Sequence, residues 1–401
     1  MLNKKKIKNL LFNFIIFMYS SMIFILSLII KGFFKNRKIW LICETDVTAQ
    51  DNGYHFFKWM RENHPEIETH YLINKRSKDY EKVASLGNVV SRLSFYHILY
   101  LFMAEKHIGT HDYRHWAYPG KRSIFQKYFE KHLKGEFIQL QHGILHMRGE
   151  RGFHYNPMEA KYDKVIVSSE WEKRLLNEHF GHPDQNLIVT GLARYDNLYK
   201  SDVVEDQIFF MPTWRKAIRK RELFICSDYY LKTKEILEDK NLLKKLREKK
   251  IKVKFYLHIK LHKFIDLFQE LENDVIEIVE AGDEDVQTLL KKSKLLITDY
   301  SSISFDFIYM EKPVLFYQYD YKDYIESYRV QGYEEYKNDR FGYIAYNSKT
   351  LIDKIIYYLD NDFKAEEEYI KKSNKYFKFR DNNNCQRIYN EIIEPSKKDC
   401  K

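Results

Sequence analysis

Four stretches carry residue types that can move a proton or hold a phosphate. His142 follows the apolar run Phe137 to Leu140 and Gln141, and precedes Gly143. A histidine at a strand end beside a flexible glycine can face a cleft, and its ordinary pKa near 6.5 suits proton abstraction at neutral pH. A hydrogen-bonded structural histidine is the plainer alternative for any one of the 15. In KFYLHIKLHKF, Val253, Phe255, Leu257 and Ile259 alternate with Lys254, Tyr256, His258 and Lys260. That period of two predicts a strand whose polar face carries His258, with His262 just past its end. The H-x-x-x-H spacing lacks the glutamate of H-E-x-x-H, and the stretch does not read as a helix, so no metal is assigned.

The third stretch is KLLITDYSSISFDFIYM, a strand ending at Thr298 and Asp299, a Tyr300-Ser301-Ser302 turn, and an apolar helix beginning near Ser302. Unpaired N–H groups at a helix start attract phosphate, and serine hydroxyls add donors. Plain N-capping by serine accounts for the same residues. In the fourth, FFMPTWRKAIRKR, Arg215 and then Lys216, Arg219, Lys220 and Arg221 follow a strand and the turn-forming Pro212. Arginine suits bidentate phosphate contact, and the cluster also suits lipid headgroups or an anionic acceptor. For all but Arg215 an ordinary solvated face explains it equally. His107, His111 and His115 share helical spacing, but KHIGTHD reads as a strand entering a loop, so they are assigned structural roles.

These residues need elements to position them. Short apolar strands alternate with helical stretches from KIWLICETD and THYLINKR through KHIGTHD, EFIQLQH, YDKVIVSS and LIVTGLA. A second series runs through QIFFMPTW, KVKFYLHIK, DVIEIVE, KLLITDYSS and PVLFYQYD. The alternation predicts an α/β protein with two Rossmann-like domains, in which ligands bind beyond the carboxyl ends of the strands. The expected divisions are an anchor over residues 1–36, a domain over 37–203 and a second over 204–401 with closing helices; the polar stretch Lys200 to Asp206 is the linker. The lysine-rich LLKKLREKKIKVK is a solvated helix face.

Composition removes several classes. The 14 glycines include no G-x-G pair, so neither a dinucleotide fingerprint nor a Walker A loop can be written. Cys43, Cys226, Cys385 and Cys400 show no ligand spacing and are too scattered for a disulfide framework, which suits a reducing compartment. Net charge is +10, from 67 bases against 57 acids. Residues 1–40 hold eight bases and no acid, leaving 59 against 57 for the rest. The body is therefore nearly neutral, and nucleic acid is not an expected partner. Leu10 to Ile30 is 21 residues without a charge, the length of a membrane-spanning helix and longer than a signal-peptide core. A retained anchor on an anionic membrane surface is expected, with spanning and interfacial placements both open.

In identity and order, QHG, TGLARYDNL, MPTWR, KLH and TDYSSISFDFIYMEKPVLFYQYD, over about Phe137 to Asp320, resemble the CDP-glycerol glycerophosphotransferases that build teichoic acids and related capsular polymers. The resemblance implies a GT-B architecture, with the nucleotide on the carboxy-terminal domain and the acceptor on the amino-terminal one. It implies an inverting, metal-independent enzyme without cofactor at the cytoplasmic membrane face, with His142 and His262 central. Two departures stand out: Lys263 follows His262 where most relatives have proline, and Ile144 follows Gly143 where threonine is commoner.

The expected reaction is attack by an acceptor hydroxyl, deprotonated by His142, on the β-phosphorus of CDP-glycerol, expelling CMP. The acceptor is a lipid-linked saccharide or polyol phosphate. His262, Arg215, Ser301, Ser302 and the helix amino terminus would stabilise the diphosphate, Gly143, Lys260 and Thr298 would bind substrate, and Asp299 and Asp306, in the same site, would organise the turn. Rival expectations are a CDP-ribitol-dependent transferase, a nucleotide-sugar glycosyltransferase and an inactive membrane scaffold.

Overall fold

The computed structural model describes residues 4–33, 37–146, 162–200, 204–280, 282–328 and 333–393. These form two compact units: one takes residues 4–142, 162–196 and 381–393, the other 143–146 and 197–380. Part of the expected linker, residues 201–203, lies outside the described residues.

The first unit is built on β1 (Ile39–Cys43), β2 (Glu68–Ile73), β3 (Val89–Ser91), β4 (Lys106–Gly109), β5 (Glu136–Gln139), β6 (Lys164–Val167) and β7 (Leu187–Val189). They make one parallel sheet in the order β3-β2-β1-β4-β5-β6-β7. Parallel strands covered on both faces read as continuous apolar runs, and all five residues of β1, IWLIC, are buried. The polar residues of β4 are buried because they are paired. Lys106 reaches Glu136 on β5, and His107 Nδ1 lies 3.1 Å from the Tyr113 hydroxyl. β3 is too short to stand out in sequence.

The helix Lys4–Phe33 is the one described helix long and apolar enough to cross a membrane by length and composition. Its two sides differ. Ser20, Ile23 and Ser27 are buried, Phe17 packs on Tyr128 and Phe129, Phe24 packs on Phe102 and His132, and Asn13 Oδ1 accepts from Lys121 N at 2.9 Å. Leu11, Phe14, Met18, Met22, Ile25 and Leu28 are exposed.

The second unit contains β8 (Gln207–Phe210), β9 (Lys252–Tyr256), β10 (Ile276–Val279), β11 (Leu295–Thr298), β12 (Val314–Tyr317) and β13 (Tyr343–Ala345), again a parallel sheet, in the order β10-β9-β8-β11-β12-β13. Its core includes Ile208, Phe210, Phe255, Leu295, Ile297 and Leu315. The strand expected to run through His258 ends at Tyr256. Ile259, expected on the buried face, is 65% exposed, and Ile259–Phe264 is a 3-10 turn. The His258 ring stops the strand by accepting from Lys260 N at 3.2 Å, competing with ladder bonds.

The chain end also departs from the expected domain over 204–401. The helix Asn384–Ile393 belongs to the first unit. Asp196 accepts from Asn384 N, Asn384 Nδ2 and Cys385 N at 2.7–2.8 Å, capping it. Arg387 Nε donates to Thr190 O at 2.9 Å, and Tyr389 stacks on His64 with centroids 3.8 Å apart. Gly191 lies against Asn384 at φ +82°, where a Cβ would fall 1.9 Å from Asn384 Oδ1. The TGLARYD motif thus contributes Gly191 and Asp196 to this docking.

Candidate active site

In the first sheet the strand order reverses between β1 and β4, and Glu44 follows β1 at that point. Its buried carboxylate accepts from the amides of Gln50, Asp51 and Tyr54 at 2.7–2.9 Å, holding the start of the helix Asn52–Asn63 at the strand ends. Gly53 permits this approach: its N donates to Thr110 Oγ1 at 2.7 Å, and a Cβ there would lie 2.8 Å from both Thr110 Oγ1 and Glu44 Cγ. From this frame Asn52 and Asp51 reach the loop after β5. Asn52 Nδ2 donates to Gln141 O at 2.7 Å, and Asn52 Oδ1 accepts from Arg194 N at 3.0 Å. Arg194 Nη1 donates to Asp51 Oδ1 at 2.7 Å and to His142 O at 3.0 Å.

Gln141 is buried and held at φ +61°, a left-handed conformation costly for a non-glycine residue. The clamp from Asn52 and Arg194 maintains it, and the next side chain, His142, is presented to solvent. The His111 ring lies beside it, centroids 5.0 Å apart. Desolvation by surrounding protein lowers the His142 pKa, with His111 and Arg194 adding to the effect and Asp51 opposing it. The ring is therefore neutral at pH 7 and able to accept a proton. His111, assigned above to a structural role, is instead a neighbour of His142. Asp51, Asn52 and Arg194 were not among the expected site residues; the Asp-Asn pair before an amphipathic run signals a helix start, but nothing local points to His142.

In the second unit the order reverses between β8 and β11. Asp299, after β11, accepts from Thr213 N and Oγ1, after β8, at 2.9 and 2.6 Å, and from Tyr300 N at 2.6 Å. Arg215 Nη2 stands 2.8 Å from Asp299 Oδ2, while Nε and Nη2 donate to Asp320 at 2.6 and 3.1 Å and Nη1 donates to Thr213 O at 2.6 Å. Burial alone would lower the Arg215 pKa, but Asp299 and Asp320 hold it well above its ordinary value. Tyr300 and Tyr324 stack at 3.5 Å beneath this clamp. A cavity of about 550 Å³ opens beside it, lined by Arg215, Lys216, Arg219, Asp320, Tyr324 and Tyr328 among others.

This geometry separates the expected donor-site residues into two groups. Arg215 is paired with two carboxylates and also lines the cavity beside the turn. Thr298 is fully buried and donates to Met211 O at 2.7 Å, and Asp299 and Asp306 are buried, so all three face the protein. Ser301 and Ser302 are half-exposed. Ser301 Oγ accepts from Ile303 N at 3.4 Å, and Ser302 makes no side-chain cap. His262 is half-exposed in the 3-10 turn, and exposed Lys260 sits 3.9 Å over the Trp214 ring. Gly143 is buried.

The sequence profile of CDP-glycerol:poly(glycerophosphate) glycerophosphotransferases matches residues 23–394. The chain is 31% identical over 374 residues to the minor teichoic acid biosynthesis protein GgaB of Bacillus subtilis (strain 168), covering 90% of this chain and 40% of that protein. It is 26% identical over 252 residues to the teichoic acid glycerol-phosphate primase of the same strain, covering 59% of each. The chain thus spans roughly half the length of such curated relatives. In fold it is similar to the wall teichoic acid polymerase TagF, with a TM-score of 0.66 at 17% identity over 91% of this chain and 90% of that one. UDP-GlcNAc 2-epimerase from Neisseria meningitidis is also similar in fold, at TM-score 0.51 and 14% identity over 89% of this chain and all of that one. With the profile covering nearly all its length, the chain belongs to the CDP-glycerol:poly(glycerophosphate) glycerophosphotransferase family, whose relatives build teichoic acids.

Proposed function

We propose that the protein transfers glycerol phosphate from CDP-glycerol to a hydroxyl of a membrane-associated acceptor, a lipid-linked saccharide or polyol phosphate, releasing CMP. The observation that carries this is His142: an exposed, neutral imidazole, held on a left-handed residue by Asn52 and Arg194, in a chain of this family. His142 takes the proton of the acceptor hydroxyl, whose oxygen attacks the β-phosphorus. The phosphoanhydride bond breaks, and CMP leaves with the electron pair. His262, Lys260, Ser301 and Ser302, all reachable by solvent, hold the diphosphate. Arg215, Thr298, Asp299 and Asp306 keep the turn beneath them in shape. A structure of TagF soaked with CDPG supports the choice of donor.

The exposed apolar side of Lys4–Phe33 and the basic residues around it support membrane association at the cytoplasmic face, where a lipid-linked acceptor is met at high local concentration. Purified protein incubated separately with CDP-glycerol, CDP-ribitol and a nucleotide sugar tests the donor. CMP release with CDP-glycerol is expected. Release with CDP-ribitol alone would favour the ribitol reading, to which relatives such as the Staphylococcus aureus teichoic acid ribitol-phosphate polymerase TarK lend weight.

A further inference from the structure

Among the described residues, buried and nearly buried cations come with carboxylates: Lys106 with Glu136, Arg114 with Glu130, Arg194 with Asp51, and Arg215 with Asp299 and Asp320. Arg340 does not. It is 2% exposed, pairs with no carboxylate among the described residues, and has the neutral Tyr376 side chain as its hydrogen-bonding neighbour. What surrounds it is aromatic. Its Cζ lies 4.0 Å from the ring centroid of Tyr336, 5.0 Å from Phe341, 5.2 Å from Phe316 and 5.6 Å from Phe305. Ring faces attract a cation, but they replace only part of the hydration a guanidinium loses. An apolar side chain of similar length would fill the same space without that cost.

The rings that enclose Arg340 also support the donor-binding turn. Phe305 lies on the helix that follows Ser302. Tyr336 Oη accepts from Gln318 Nε2 at 3.0 Å, and the same nitrogen donates to Asp299 O at 3.0 Å. His146 packs against both rings, at 4.9 Å from Phe305 and 5.7 Å from Tyr336, and also interacts with the backbone of Tyr300 in the turn. The two acids on the other side, Asp299 and Asp320, are occupied by Arg215. A positive charge with no carboxylate partner among the described residues therefore lies against the rings that support the Asp299–Ser302 turn, where a low local dielectric strengthens its field.

We propose that Arg340 is a positioning residue for the donor's diphosphate: its uncompensated charge favours an anion at the turn, and its ring contacts hold Tyr336, and through Gln318 the Asp299 carbonyl, in place. This rests on the reading of that turn as the donor site. Full-length Arg340→Met and Arg340→Lys proteins test it, with CDP-glycerol turnover and with thermal shifts induced by CMP and by inorganic pyrophosphate. Arg340→Met is expected to melt no lower than wild type without ligand. Its KM for CDP-glycerol should rise at least tenfold with kcat within threefold, and the pyrophosphate-induced shift should vanish. Arg340→Lys, which keeps the charge, should retain most of that shift. A merely structural arginine would give the opposite: Arg340→Met that unfolds or melts well below wild type, or one that folds with unchanged KM and shift, overturns the proposal. Wild-type protein that releases no CMP from CDP-glycerol would instead remove the donor reading, while the pyrophosphate arm continues to decide the role of Arg340.

Discussion

Arg194 donates from a single nitrogen both to the main-chain carbonyl of His142, at 3.0 Å, and to the carboxylate of Asp51, at 2.7 Å. The proposed base is therefore located by the TGLAR arginine, 52 residues later in the chain. Breaking a buried charge pair by removing one partner costs about 3 kcal/mol, because the other charge is left behind. Arg194→Met should lower stability by that order in urea titration. Arg194→Lys should fold but lose at least tenfold in kcat, since the lysine ammonium is one bond nearer the main chain than Nη1 and does not reach the same point between Asp51 and the His142 carbonyl.

His142→Ala, with folding verified by circular dichroism, should lose about 10²- to 10⁴-fold in kcat. The acid limb of the wild-type kcat/KM profile should fall below pH 6.5, because desolvation, His111 and Arg194 all oppose protonation of His142. Removing one of these opponents in His111→Ala should move that limb upward toward 6.5. A limb that stays still would separate His111 from the titrating group.

Two other histidines make stability depend on pH. His97 and His107 are fully buried, and burial pushes both pKa values down to about 3. The His97 tautomer is set by its partners, since Nδ1 accepts from Leu93 N at 3.0 Å and Nε2 donates to Ala117 O at 2.7 Å; a proton on Nδ1 would break the first bond. The folded pKa lies below the unfolded one, so below pH 6.5 the unfolded chain binds more protons. Stability is full above 6.5 and falls as pH drops toward 3. Between pH 7 and 5 the loss should be roughly 1–2 kcal/mol for each histidine, read as a lower urea midpoint at unchanged slope.

Gly191→Ala should destabilise the first unit by about 2–3 kcal/mol, through its left-handed backbone and its contact with Asn384. Asp196→Asn should loosen the same helix by weakening its cap. Limited proteolysis should then remove the carboxy-terminal helix from both variants faster than from wild type.

The two sides of the helix Lys4–Phe33 should separate on substitution. Ile23 is buried and Ile25 is 60% exposed. Ile23→Asp should lower the melting temperature, whereas Ile25→Asp should leave it unchanged in detergent and weaken cosedimentation with vesicles containing anionic phosphatidylglycerol. Equal effects of the two substitutions on melting would contradict the one-sided packing.

Eleven of the strands were legible as apolar runs between polar stretches, because a strand of a doubly covered parallel sheet needs little beyond its own composition to be recognised. β3 and β13, three residues each, lack the unbroken aliphatic run that marks the equally short β7. The alternation through His258 misled for a physical reason: a side chain bonding to its own backbone ended the strand, and a period of two does not reveal that competition. His111 was assigned a structural role because a strand entering a loop breaks the face it would share with His107 and His115, whereas its neighbour His142 follows another strand.

By itself the sequence determined the two α/β halves, the apolar amino-terminal helix, the family motifs and the presence of His142 and His262, all properties of contiguous residues. Tertiary structure alone decided what those motifs do. It joined Arg215 to Asp299 and Asp320, and divided TGLARYD between a histidine clamp and the docking of a helix nearly 200 residues away. It also enclosed Arg340 in aromatic rings, with no carboxylate partner among the described residues. The reason is that hydrogen bonds and charges are satisfied across strand ends that parallel topology brings together from distant parts of the chain, and no local pattern encodes which donor meets which acceptor.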